Sequence, residues 1–218
     1  MKILSLRRGF ASDHSSTSYE FLAVEKPLGK EARAAVSKLS RRVRPTGRRA
    51  HFIYHAEGYD IPGGWEPLMM QYYDVMYCED YDWWTLAMAF DAAPGQHEAL
   101  LPFEFAGMDD LGISISKNGR RIIVAIHCML EADFSDPDYY DYDDDDEADD
   151  ENDTLATDDE LLNMLTQVRR QIIEGDYRAL YAVWEKYGDD DNPPPKPKSQ
   201  KRGAETIANF KSMLSRME

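Results

Sequence analysis

The dipeptide Asn118-Gly119 restricts the fold of this chain more than any other short feature, because it lies between two runs rich in β-branched residues. Asn-Gly in that setting is a strong signal for a β-hairpin closed by a type I′ turn. A two-residue loop of this kind pairs Lys117 with Arg120 and fixes the register of the remaining pairs. The sequence therefore predicts two antiparallel strands within residues 112–130.

Other runs extend this hairpin into a sheet. Residues 122–130 are apolar on both faces apart from His127, as in a central strand that is covered on both sides. In that strand we expect His127 to be a hydrogen-bonded core histidine. Residues 83–90 alternate large apolar side chains with threonine and alanine, and we expect the small face to lie beneath a helix. Residues 3–6 and 19–24 are predicted to form a further hairpin.

Helical spacing of apolar residues and a change in composition divide the remainder of the chain. The predicted class is α+β: a mostly antiparallel sheet with packing helices, a disordered acidic insert and a C-terminal helical arm. A capping-box spacing from Thr157 to Glu160 is expected to begin the helices after the insert. The segments that we expect are an α+β core over 1–130, the acidic insert over 131–156, a helical pair packing on the core over 157–188, a proline-rich linker over 189–202 and an amphipathic helix over 203–218.

The charge of the chain is concentrated in two blocks. The net charge is −16, yet residues 131–160 hold seventeen acidic residues and no lysine or arginine. Without them, 41 − 17 = 24 acidic residues face 25 basic ones. Residues 26–49 hold nine bases and one acid. The acidic character therefore belongs to one segment, and a separate basic segment lies upstream of it.

Several classes of protein are disfavoured by the sequence. No apolar run is long enough for a signal peptide or a membrane span, so we expect a cytoplasmic protein without a membrane partner. Cys78 and Cys128 lie in strand-like apolar runs without a CxxC partner, which is typical of buried free thiols. No metal site, cofactor or catalytic activity is inferred, and the oligomeric state is left open.

A hydroxyl-rich turn near the N-terminus offers one candidate site. The letters Asp13-His14-Ser15 spell a hydrolase triad, but side chains of adjacent residues cannot be aimed at one another in the required relay. The alternatives are a structural turn, an anion site and, ranked last, an enzyme that uses His14. The candidate anion-binding residues are Arg7, Arg8, Ser12, His14, Ser15 and Ser16.

Two hypotheses concern macromolecular partners. The leading one is an interaction or adaptor module that docks a protein, with the C-terminal helix as a second contact; its candidate contacts are Trp83, Ile207, Phe210, Met213 and Leu214. The alternative is a nucleic-acid-associated or nucleic-acid-mimicking regulator, in which the basic segment neutralises phosphates and the acidic insert competes in cis or acts in trans. The candidate phosphate contacts are Arg41, Arg42, Arg44, Arg48 and Arg49.

Three blocks carry a resemblance to other proteins: residues 7–21, 81–84 and 175–181. They are similar to blocks in a family of uncharacterised bacterial proteins with no assigned activity. The block over residues 175–181 also resembles segments of bacterial proteins that accompany SWIM-type zinc fingers. This chain lacks the Cys and His residues that such a finger needs, so the resemblance implies a bacterial protein and transfers no site residues.

Overall fold

The fold is described by a computed structural model over residues 17–55, 60–80, 83–130, 159–189 and 192–214. Within these residues one sheet is formed by seven strands: β1 (Thr17–Leu22), β2 (Arg49–Tyr54), β3 (Val75–Asp80), β4 (Trp83–Asp91), β5 (Phe105–Ala106), β6 (Gly112–Asn118) and β7 (Arg121–Cys128). The α-helices are α1 (Lys30–Ser37), α2 (Glu66–Gln71), α3 (Gln96–Leu100), α4 (Glu160–Ile173), α5 (Arg178–Tyr187) and α6 (Ala204–Met213). The strands are antiparallel in the order β2-β1-β3-β4-β7-β6-β5, which confirms the predicted class.

Helices cover both faces of the sheet, and the sheet separates two hydrophobic cores. On one face, α1 and α2 enclose a core that includes Phe21 and Met69. On the other face, α4, α5 and α6 enclose a larger core that includes Leu165 and Leu180. Full burial of one such side chain contributes about 1.5–3 kcal/mol. No helix in the described part of the chain has the length and apolar character needed to cross a membrane.

The two faces of β4 carry side chains of different size, and each face contributes to a different core. Leu86 and Met88 point into the core beneath α4, while Ala87 and Ala89 belong to the core beneath α2. Small side chains on one face of a strand allow a helix to approach the sheet closely. The predicted alternation in this strand is confirmed.

The hairpin at Asn118 is present, but its turn and register differ from the prediction. Asn118 pairs with Arg121 instead of Lys117 with Arg120, so the two-residue loop consists of Gly119 and Arg120. Gly119 has a φ of +60°, and Arg120 does not share the positive φ. Glycine in the left-handed conformation at the first loop position alone is typical of a type II′ turn. The type I′ prediction is therefore wrong, because Asn118 ends the strand instead of entering the turn.

β1 is a strand as predicted, but its pairing differs. β2 pairs with one edge of β1 and β3 pairs with the other, each over the full length of Thr17–Leu22. No free edge of β1 remains for the predicted hairpin with residues 3–6, which themselves lie outside the described residues. Alternation along a sequence identifies a strand, whereas the neighbours of that strand depend on contacts between distant segments.

α4 begins later than the predicted capping box. Its N-cap is Asp159, whose Oδ1 accepts a hydrogen bond from the backbone N–H of Leu162 at 3.0 Å. Thr157 lies outside the described residues. The other carboxylate oxygen of Asp159 accepts a hydrogen bond from the buried Tyr77 hydroxyl at 2.8 Å. Burial and the nearby Asp159 charge raise the pKa of Tyr77, which keeps the hydroxyl protonated as a donor.

α6 belongs to the core and is not a projecting arm. Ile207, Phe210, Met213 and Leu214 are all buried and pack with α4 and α5. Leu214 also forms an isolated antiparallel bridge with Leu130. The sequence pattern of an amphipathic helix was correct, but the apolar face is already covered by the chain itself.

The segment that leads into α6 is fixed to the same helices. The Arg178 guanidinium donates to the backbone carbonyls of Gln200 and Arg202, each at 2.6 Å. The Asp176 carboxylate accepts hydrogen bonds from the same guanidinium, with an Nη2 to Oδ2 distance of 2.6 Å. The predicted linker over 189–202 is therefore fastened near its C-terminal end.

A buried ionic network at the ends of the strands is centred on Asp74. The Asp74 carboxylate accepts hydrogen bonds from the backbone N–H groups of Val24 and Glu25, at 2.8 and 2.9 Å. It also accepts from Arg121 at 2.9 Å and lies 3.6 Å from Nη2 of Arg169. Arg169 comes from α4 and is only 4% exposed, so the network fastens that helix to the strand ends.

The two cysteines are free and buried, as predicted. Burial raises the pKa of both thiols, which keeps them protonated and weakly nucleophilic.

Candidate functional site

Six exposed cations lie on and around α1, and we call this group the basic surface: Lys26, Lys30, Lys38, Arg41, Arg42 and Arg44. Lys30 begins α1 and Lys38 follows its last residue. The helix rests on the sheet through buried Val36 and the partly buried Ala32 and Leu39. This packing turns both lysines toward solvent.

The three arginines of the basic surface lie on the turn that follows α1. Val43 is fully buried between them and anchors the turn to the core. Nη1 of Arg44 donates to the backbone carbonyls of Arg41 and Val43, at 2.9 and 3.1 Å. The guanidinium of Arg44 is thereby held along the turn while it remains exposed. Because Val43 is packed in the core, the arginines on either side of it are held at the surface as a short row of positive charge.

The other two predicted nucleic-acid residues, Arg48 and Arg49, are partly buried. Arg48 is partly buried, and its Nη1 donates to the backbone carbonyls of Ala23 and Val24 at 2.9 and 3.1 Å. Arg49 is partly buried at the start of β2 and has interactions of its own. We therefore count three of the five predicted arginines in the basic surface, because the Arg48 guanidinium is engaged by the fold and Arg49 is partly buried with interactions of its own.

The charge of the basic surface is not neutralised within the described residues, where none of its six side chains takes part in an ion pair. Glu25 is adjacent to Lys26 in sequence, but its carboxylate lies 2.7 Å from Nη2 of Arg169. Glu31, the acidic residue in the first turn of α1, likewise forms no ion pair with these cations within the described residues. Clustered charge of one sign attracts ligands of the opposite sign and accelerates their association.

Trp83, the remaining exposed partner-contact candidate, lies at the start of β4. It is 43% exposed, and it is the one exposed side chain among the described Phe, Tyr and Trp residues. By strand alternation it shares a face of the sheet with Thr85. An aromatic side chain in this position is available for contact with a partner.

The four candidates in and directly after α6 are not available in that way. Ile207, Phe210, Met213 and Leu214 are between 0% and 6% exposed. Their assignment as partner contacts is corrected, because they form part of the core beneath α4 and α5.

A polar row beside Trp83 crosses three strands. Thr85 Oγ1 and Ser114 Oγ each lie 3.2 Å from one ring nitrogen of His127, Nδ1 and Nε2 respectively. Burial lowers the pKa of His127, against smaller opposing effects from the charges of Asp110 and Glu66. The imidazole is therefore neutral near pH 7 and links the two hydroxyls, which confirms the predicted hydrogen-bonded histidine.

The residues of the N-terminal anion site all lie outside the described residues: Arg7, Arg8, Ser12, His14, Ser15 and Ser16. The acidic residues of 131–158 lie outside them too. Within the described ranges, no three His, Cys, Asp or Glu side chains come together as ligands for one metal ion.

A polar cleft of about 550 Å³ lies between α4 and the segment that leads into α6. Its lining includes Glu174 and Asp176 as well as the cations Arg170 and Arg202. Asp176 is paired with Arg178, and Glu174 lies 3.2 Å from Arg202. Opposite charges in the cleft therefore offset one another, unlike those of the basic surface.

Comparison with known proteins does not assign the chain to a family. No protein-family model and no curated protein matches it. Among solved structures, the chain is similar to the regulatory subunit of aspartate kinase from Thermus thermophilus at 13% identity and a TM-score of 0.23. That match covers 52% of this chain and 83% of the other. At this TM-score the likeness carries no conclusion about fold or activity.

Proposed function

We propose that this protein is a cytoplasmic, nucleic-acid-associated regulator that binds phosphates through the basic surface. The observation that carries the proposal is the group of six exposed cations that no described residue neutralises. Phosphate contacts from lysine and arginine supply essentially all of non-specific nucleic-acid binding. The proposed role is binding without catalysis.

This proposal takes precedence over the adaptor hypothesis for a structural reason. The adaptor hypothesis relied on a tethered amphipathic helix, and four of its five candidate contacts are now part of the core. The nucleic-acid hypothesis loses Arg48 and Arg49, but it gains Lys26, Lys30 and Lys38 on the same surface.

The proposal is tested with two variants of equal charge. One variant carries the substitutions Arg41→Gln, Arg42→Gln and Arg44→Gln, and the matched control carries Lys196→Gln, Lys198→Gln and Lys201→Gln in the segment before α6. Each variant removes three exposed positive charges. Affinity for a short mixed-sequence DNA duplex is measured by fluorescence anisotropy at low salt.

We expect the arginine variant to bind at least about tenfold more weakly than the full-length protein, because three phosphate contacts are lost. The control should stay within about threefold, since only the long-range field changes. Equal losses in both variants would show that net charge alone governs binding and that no particular surface is used.

A second candidate function, a protein-interaction module, is favoured by the exposure of Trp83. Tryptophan is enriched among residues that dominate binding energy at interfaces. A pull-down from the native host with Trp83→Ser, compared with Ile173→Ser as a control at 38% exposure, tests it. Loss of a partner in the first variant alone would support this function, and identical partners in both would remove Trp83 from consideration.

A further inference from the structure

The basic surface has a restricted chemistry. Residues 26–49 contain no Phe, Tyr, Trp, His, Asn or Gln. The exposed aromatic among the described residues, Trp83, belongs to β4 and not to this surface. Apart from the exposed Glu31, the surface therefore offers cations, small residues and aliphatic residues to a ligand.

Recognition of single-stranded nucleic acid relies on another set of side chains. Single-strand binding proteins stack successive bases on aromatic rings, and each stacked base contributes about 1–3 kcal/mol. Residues 26–49 contain no aromatic ring on which a base could stack, so bases that are already paired and stacked lose nothing by binding here.

Charge density favours the same kind of ligand. Lys30 and Lys38 are separated by eight residues, or about 12 Å along α1. A duplex presents one charge per 1.7 Å of its axis, which is roughly seven over that distance, while one strand presents roughly four. The higher charge density of the duplex places more phosphates within reach of each cation of the basic surface.

The face of α1 between the two lysines is also low in profile. Ala34 lies four residues from each of them, on the same line along the helix, and it is exposed. A methyl group at this point leaves room for a phosphate backbone to approach both ammonium groups.

From these features we infer that the basic surface binds the phosphate backbone of double-stranded nucleic acid, independently of sequence. This inference rests on the proposed function and specifies its ligand. The cations contact phosphates on the outside of the duplex, and the bases remain stacked within it.

The test compares four probes with the full-length protein at low salt. These are a mixed-sequence DNA duplex, one of its strands alone, a duplex of the same composition in shuffled order, and poly-glutamate matched in total charge. Affinity for the first is measured by fluorescence anisotropy and for the others by competition. The arginine variant described above is measured in parallel.

We expect the duplex to bind at least about tenfold more tightly than the single strand, and the shuffled duplex to bind within about threefold of the first. Equal or tighter binding of the single strand would overturn the inference and leave the proposed function standing. Strong preference for one sequence would overturn the backbone mode of recognition.

Two further results concern the proposed function itself. If poly-glutamate competes as well as the duplex, the ligand is an acidic protein surface and the nucleic-acid assignment falls. If neither nucleic-acid form binds, the proposed function is overturned together with the inference.

Discussion

At the scale of single residues, Asp74 is a buried carboxylate that connects α4 with the ends of the strands. Replacing it with alanine leaves Arg121 and Arg169 without their buried carboxylate and leaves two backbone N–H groups unpaired. Removal of one partner from a buried ion pair typically costs about 3–5 kcal/mol. We expect Asp74→Ala to lower the free energy of unfolding by about that amount in urea denaturation.

A neighbouring aspartate provides the control. Asp91 lies 4.0 Å from the same Arg121, but its side chain is 62% exposed. Asp91→Ala should change the free energy of unfolding by less than about 1 kcal/mol, as is usual for exposed ion pairs. Similar losses in the two variants would contradict the role assigned to Asp74.

His127 makes stability depend on pH. Because burial lowers its pKa in the folded state, the unfolded chain takes up the proton first as the pH falls below about 6.5. This contribution to the free energy of unfolding is present above that pH and declines as the pH falls toward the folded pKa. NMR titration of the His127 ring should give a midpoint below that of the unfolded chain, and a midpoint above it would contradict the assignment.

At the scale of elements, α6 acts as part of the core. Phe210 is fully buried beneath α4 and α5, and Phe210→Ala should lower the free energy of unfolding by about 3–5 kcal/mol. Lys211→Ala, which removes an exposed ion pair with Glu185, should lower the free energy of unfolding by less than about 1 kcal/mol.

A chain ending at Gly188 lacks α6, so the core beneath that helix is uncovered. This chain should bind a hydrophobic dye and lose its cooperative unfolding transition. An unchanged unfolding midpoint would show that α6 is dispensable.

The local sequence pattern was sufficient to predict the strands and helices, but it was insufficient to predict which segments pack against them. Alternation over residues 83–90 gave both faces of β4. The apolar stripe that helical spacing predicts over residues 30–40 consists of Ala32, Ala35, Val36 and Leu39, and all but the exposed Ala35 pack against the sheet. In contrast, the sequence of α6 does not show whether its apolar face packs in the core or binds another protein. Which of the two holds depends on packing between distant segments.

Prediction of the candidate site from the sequence was limited for the same reason, because it too depends on contacts between distant segments. A run of arginines is visible in the sequence, but the diversion of Arg48 to the carbonyls of Ala23 and Val24 depends on how residues 46–49 approach β1. Lys30 and Lys38 could have been added from helical spacing alone, since they lie on one side of a predicted helix. The groups that bind the Asp74 carboxylate come from three segments that are distant in sequence, so no local pattern predicts them.

At the scale of the whole molecule, the separation of charge is the dominant feature. Deleting residues 136–153 removes twelve acidic residues and no base, which changes the net charge from −16 to −4. If these acids compete with phosphates for the basic surface, the deletion should raise the affinity for duplex DNA. Anisotropy titrations of both chains at low salt measure the effect, and unchanged affinity would exclude such competition.

The salt dependence of duplex binding tests the central claim most directly, because the slope of log affinity against log salt counts the phosphates that a surface neutralises. For six cations on duplex DNA we expect a slope of about −5 between about 50 and 200 mM salt, and about −3 for the arginine variant. The variant at Lys196, Lys198 and Lys201 should retain the slope of the full-length protein. A slope that is the same in the arginine variant would contradict the assignment of the basic surface as the binding site.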